Sequence, residues 1–246
     1  MEGSSSIKKY NQGLDILRCV AMAMVVLCHM FQIVDGGVLG SFFCTYGKRG
    51  VQLFFVMSGY LNVASFISES ETKNYYRKRV RRFFPSYWTA LLIIIPVAYF
   101  YLENVPKDGT HLGWIRYIFG INQIIRTNEY YWHNLYGFWT IGSFLLFYLI
   151  TPFVCKVVNC FWKSVVLIFG GVALQFANNI FYKLIRSKMG MDFSDEFIGA
   201  TPFHEMYVFF IGVCIFWAIR ESKEKSSIII MLRLTWNKCK HNLYSM

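Results

Sequence analysis

The hydrophobic positions of this chain gather into long blocks separated by polar stretches that carry most of the charge. Crossing a hydrocarbon core of about 30 Å takes roughly twenty apolar residues in a helix, because lipid offers no partner to an open backbone. Six blocks meet that length, at residues 16–34, 50–68, 83–102, 137–155, 164–182 and 201–219. They predict an all-α fold, a polytopic transmembrane helical bundle of about six spans. A further stretch, 112–125, has fourteen residues with Arg116 inside it, and reads as a short re-entrant or interfacial helix. The first block is too long for the core of a signal peptide and lacks a small-residue cleavage site, so it is expected to stay as an anchor.

Basic residues then orient the spans, since cytoplasmic loops hold the excess of Lys and Arg. With six spans and a cytoplasmic N-terminus, sixteen basic residues fall inside and eight outside. Six of the sixteen lie in the loop 73–82 and six in the tail between Arg220 and Lys240, whereas Lys48 and Arg49 count among the outer eight. This predicts a multi-pass protein of the inner (plasma) membrane, with a membrane domain over 1–219 and a basic tail over 220–246.

Composition agrees with lipid as the solvent: of 246 residues, 55% are hydrophobic, 19% aromatic and 16% charged. The net charge of +11 is explained by topology signals, and no motif of a nucleic-acid binder accompanies it, so no nucleic-acid partner is expected. The seven cysteines form no C-x-x-C pair or zinc-ligand spacing and behave as small apolar residues.

Two ionisable residues stand inside the first block, Arg18 and His29, where lipid penalises charge. Eleven residues apart on a helix, they share one face to within about 20° and lie about 16 Å apart along the axis. Asp15 precedes Arg18 by three positions, the spacing of a helical ion pair. Snorkelling would also account for Arg18, and a helix–helix hydrogen bond for His29; the functional reading is a base of a type whose unperturbed pKa is near neutrality, held in a partly dry site. In the second block Ser58 and Gly59 precede Tyr60, small residues that packing alone explains. Arg77, Lys78, Arg79, Arg81 and Arg82 crowd the approach to the third block and match anionic headgroups or a phosphate-bearing donor.

Together these pieces resemble the acyltransferase-3 family of bacterial membrane O-acyltransferases. Arg18 followed by His29 matches its R-x10-H element, and Phe54-Phe55-Val56-Met57-Ser58-Gly59-Tyr60 its F-F-x-x-S-G-[FY] element. Arg79-Val80-Arg81-Arg82 is similar to its R-x-x-R element, and Trp139 through Tyr148-Leu149 to Pro152 to its W-x-[IL]-x(6)-Y-L-x-x-P helix. The glutamate that many members carry in that last helix has no counterpart between Trp139 and Pro152. The resemblance implies an acyl-CoA co-substrate, such as acetyl-CoA, with no bound cofactor and no metal. It further implies an acceptor hydroxyl on a glycan or lipid-linked saccharide. His29 would be the general base or a transient acyl carrier, and Arg18 would hold a donor phosphate or fix the histidine. Asp15, Ser58, Gly59, Tyr60, Arg79, Arg82 and Trp139 would line the substrate and donor sites.

Family members carry more spans than the six read here, so the expectation is a C-terminally truncated form, with membrane lipids and a partner that supplies further spans. A transporter of sugar-linked substrates and an inactive truncated membrane protein are the alternatives. Against the transporter, no repeat relates the two halves, and Arg18 and His29 have no counterpart pair later in the chain.

Overall fold

A computed structural model describes residues 12–69, 71–101, 118–120, 139–189, 198–199 and 201–244. Its elements are α1 (Gln12–Ile33), α2 (Gly37–Tyr46), α3 (Arg49–Ile67), α4 (Thr72–Tyr101), α5 (Trp139–Val157), α6 (Phe161–Met189) and α7 (Met206–Tyr244). No strand occurs among the described residues. Among them, α1, the run Gly37–Ile67, Thr140–Val157 and Phe161–Lys188 are long and apolar enough to cross a membrane. The two other expected spans, 83–102 and 201–219, fall within or largely within α4 and α7. The architecture is an all-α, multi-spanning membrane bundle. Of the expected re-entrant stretch 112–125, all but 118–120 lies outside the described residues; Trp88 Nε1 donates to Ile118 O at 3.1 Å.

The chain divides into two units, 1–57 and 58–246, with the division inside α3. In the first unit α2 folds back antiparallel on α1. Phe31 and Phe43 stack with centroids 5.8 Å apart, and the Cys28 and Cys44 thiols each reach the other's carbonyl, at 3.7 and 3.9 Å. Helix α2 was not expected, since ten residues with glycine, serine and threonine among them read as a loop. The helix starts where Asp35 Oδ1 accepts the Gly37 N–H at 3.0 Å, one of the donors that a helix start leaves open. Its return path depends on two glycines. A Cβ at Gly47 would stand 2.5 Å from Met24 O and 2.7 Å from Cys28 Cβ; one at Gly50 would stand 2.5 Å from Ala21 O. The second crossing therefore begins at α2, and residues 47–50 press on the middle of α1.

The second unit is built on two close pairings. Helices α6 and α7 run antiparallel: the Glu221 carboxylate accepts the Phe161 N–H at 2.6 Å at one end, and a Cβ at Gly171 would meet Tyr207 Cα at 2.8 Å further along. Phe147 of α5 stacks on Phe209 of α7 at 4.4 Å, both fully buried, with Val63 and Val213 also in the core. The expected basic loop 73–82 is helical. It forms the first turns of α4, because Tyr75, Arg79, Phe83, Tyr87 and Leu91 recur every fourth residue as one inward stripe, while Arg77, Lys78, Arg81 and Arg82 face outward. Pro85 and Pro96 are accommodated inside this helix.

Candidate active site

Helix α1 is unbroken from Gln12 to Ile33, so Arg18 and His29 keep the spacing that puts them on one face. Arg18 is held by an ion pair with Asp15, both side chains about one-third exposed at 38% and 34%. His29 is exposed, and its Nδ1 lies 3.1 Å from Gln32 Oε1. An amide oxygen can only accept, so in the tautomer with Nδ1 protonated this contact is a hydrogen bond and the Nε2 lone pair stays open to a substrate proton. Gln32 Nε2 in turn lies 3.9 Å from Cys28 Sγ, which ties the amide to the α1–α2 contact. Gln32 was not among the expected site residues; its signal in the sequence is a polar side chain three positions after His29 near the end of an apolar run.

The motif residues of the second unit divide by the face they occupy. Gly59 is a packing residue: its Cβ position lies 2.1 Å from Phe209 O and 3.0 Å from Gly212 Cα, so α3 and α7 cross backbone to backbone there. Ser58 Oγ accepts from the buried Asn62 amide at 3.0 Å, and Tyr60 meets Phe216 edge-on at 5.8 Å. Arg79 sits between two rings, 5.3 Å from the Tyr75 centroid and 5.4 Å from that of Tyr148, and its Nη2 donates to Leu61 O at 3.2 Å. Its Nε is buried and makes no hydrogen bond. Burial pushes the Tyr75 hydroxyl up to about 12, so this ring stays neutral beneath the guanidinium. Beside them a cavity of about 130 Å³ opens between α4 and α5, lined by Tyr76, Arg79, Phe83, Phe84, Leu145 and Tyr148 among others, and is almost wholly apolar. Arg82 is exposed. Trp139 begins α5, but its side chain lies outside the described residues.

A polar cluster that sequence reasoning passed over lies between α6 and the turn before α7. His204 Nδ1 reaches Asn179 Oδ1 at 3.3 Å and its Nε2 meets Gln175 Nε2 at 2.9 Å, while Asn178 Nδ2 donates to Thr201 Oγ1 at 3.0 Å. The signal was present as three amides at i, i+3 and i+4 inside an apolar run.

The family model described as "Acyltransferase domain" of the acyltransferase-3 type matches residues 11–236. The chain belongs to the acyltransferase-3 family. Its reaction class is therefore acyl transfer of groups other than aminoacyl groups. Nodulation protein 10 of Rhizobium leguminosarum bv. viciae is 23% identical over 92% of this chain and 67% of its own length. Peptidoglycan O-acetyltransferase OatA of Listeria monocytogenes serovar 1/2a is 26% identical over 41% of this chain; the matched part is 16% of that protein. No solved structure matches the chain.

Proposed function

We propose that this protein moves an acetyl or similar acyl group from an acyl-CoA donor to a hydroxyl of a saccharide or lipid-linked glycan in the plasma membrane. The observation that carries the reading is His29, an imidazole in the membrane-length helix α1 whose Nδ1 lies 3.1 Å from Gln32 Oε1, so that with Nδ1 protonated Nε2 serves as the base. In the reaction Nε2 takes the acceptor hydroxyl's proton as the oxygen attacks the donor carbonyl. The thiolate of the donor leaves and is protonated by the imidazolium. Arg18, held by Asp15 on the same face, stands where a donor phosphate enters from the cytoplasmic side. In the second unit, by itself, the basic end of α4 offers the guanidinium groups of Arg79 and Arg82 to donor or headgroup phosphate. The name of the OatA relative supports an envelope glycan as the acceptor class.

The test is mass spectrometry of envelope glycans from cells with and without the gene, fed an isotopically labelled acyl precursor. A label that appears as ester on saccharide hydroxyls only when the gene is present supports the proposal. Glycans that change in location or amount but carry no gene-dependent ester would point to transport instead.

A further inference from the structure

Lys48 and Arg49 occupy a place that the pattern of charges alone would not give them. The glycines on either side of them are pressed on α1: Gly47 against Met24 O and Cys28 Cβ, Gly50 against Ala21 O and Val25 Cγ2. Along the axis of α1 the two cations thus lie between the levels of Ala21 and Cys28, inside the stretch bounded by Arg18 and His29. Met24, at the centre of that stretch, is about 9 Å from the level of Arg18 and about 8 Å from that of His29. Residues 47–50 are thus a break within the run Gly37–Ile67, which as a whole is long and apolar enough to cross a membrane. The break leaves the backbone satisfied, since Gly50 N–H donates to Gly47 O at 2.9 Å and Val51 N–H to Lys48 O at 3.2 Å.

Both side chains are exposed on the unit's surface. Arg49 Nη1 donates to the neutral Gln52 Oε1 at 3.0 Å, and among the described residues neither cation forms an ion pair with a carboxylate. Among the described residues of this unit the two acids are engaged at its ends, Asp15 with Arg18 and Asp35 with the start of α2. Two positive charges midway along a membrane-crossing pair of helices are strongly penalised unless an anion and some water reach them. A guanidinium fork beside an ammonium is a donor set that matches phosphate oxygens.

We propose that the Lys48–Arg49 break between α2 and α3 is a phosphate-recognition site at membrane depth. Its ligand is the phosphate-bearing part of the acyl donor or the phosphate of a lipid headgroup. The first of these rests on the acyl-transfer reading; the site itself does not.

Two arms separate the sources. In dodecyl maltoside, a detergent without phosphate, calorimetry measures binding of coenzyme A, with pantetheine as the probe lacking phosphate. Lys48→Gln with Arg49→Gln should weaken coenzyme A by about tenfold or more and leave pantetheine unchanged, because charge-assisted hydrogen bonds are lost. In nanodiscs containing phosphatidylglycerol and no coenzyme A, native mass spectrometry counts retained phosphatidylglycerol, which the same double variant should shed if lipid is the ligand. Loss in either arm upholds the site and names its source. Unchanged coenzyme A affinity together with unchanged lipid retention would overturn it. Ester formation is followed in parallel, so a wild type that binds phosphate through these residues yet transfers nothing would sink the proposed function and leave the site standing.

Discussion

Replacing Gly59 by alanine separates packing from ligand contact in the Ser58-Gly59-Tyr60 segment of α3. A methyl group there would lie 2.1 Å from Phe209 O and 3.0 Å from Gly212 Cα, short of ordinary contact with the oxygen by more than about 1 Å. Both obstacles are backbone, so no rotamer change relieves them and α3 and α7 must move apart. Overpacking of this kind costs about 1–3 kcal/mol, while the alanine gains back up to about 1 kcal/mol of helix propensity. The clash outweighs the gain, and a net loss of about 1–2 kcal/mol is expected. Gly170 on α6 is the control, because a Cβ there meets nothing within 4 Å and Gly170→Ala should be neutral or mildly stabilising. Thermal unfolding of the two variants in one detergent measures the difference, with Gly59→Ala lower in Tm by several degrees. A Gly59→Ala protein as stable as wild type but deficient in donor binding would refute the packing argument and return the residue to the ligand site.

Three shorter predictions follow from other contacts. Arg79→Lys should cost about 1–2 kcal/mol, since it loses the bond to Leu61 O and the fit between the Tyr75 and Tyr148 rings, whereas the exposed Arg82→Lys should leave Tm unchanged and weaken only donor use. Asn178→Leu should lower stability by about 0.5–1.5 kcal/mol through loss of the buried bond to Thr201, read as reduced Tm with normal insertion. In a cysteine-free protein, a cysteine at the exposed Lys78 should react with a membrane-impermeant maleimide only after the cytoplasmic side is opened; labelling of intact cells would reverse the orientation. Position 78 is the right probe because Tyr75, in the same basic segment, is fully buried.

Long apolar blocks carried most of the fold in plain view. Observed α1, α3 and α5 lie within a few residues of the expected spans, because lipid sets a length that sequence can display without any knowledge of packing. What stayed hidden depends on tertiary partners. Helix α2 is specified by glycines fitting against Phe31, Met24 and Cys28, and nothing in ten mixed residues announces that contact. The helical start of α4 was masked by its charge, although the four-residue spacing of Tyr75, Arg79, Phe83 and Tyr87 was there to be seen. At the site, the pairing of Asp15 with Arg18 was legible from spacing, while the partner of His29 and the position of Lys48 and Arg49 along α1 required the fold.

The central claim is that His29 is the base for acyl transfer, and replacing it by glutamine tests it most directly. Glutamine keeps a polar group of similar reach for a helix–helix hydrogen bond but has no nitrogen that titrates. Labelled ester on envelope glycan is measured in cells producing wild type or His29→Gln at equal membrane levels. The account predicts a loss on the order of a hundredfold or more with normal insertion. Ester formation near the wild-type level would contradict it.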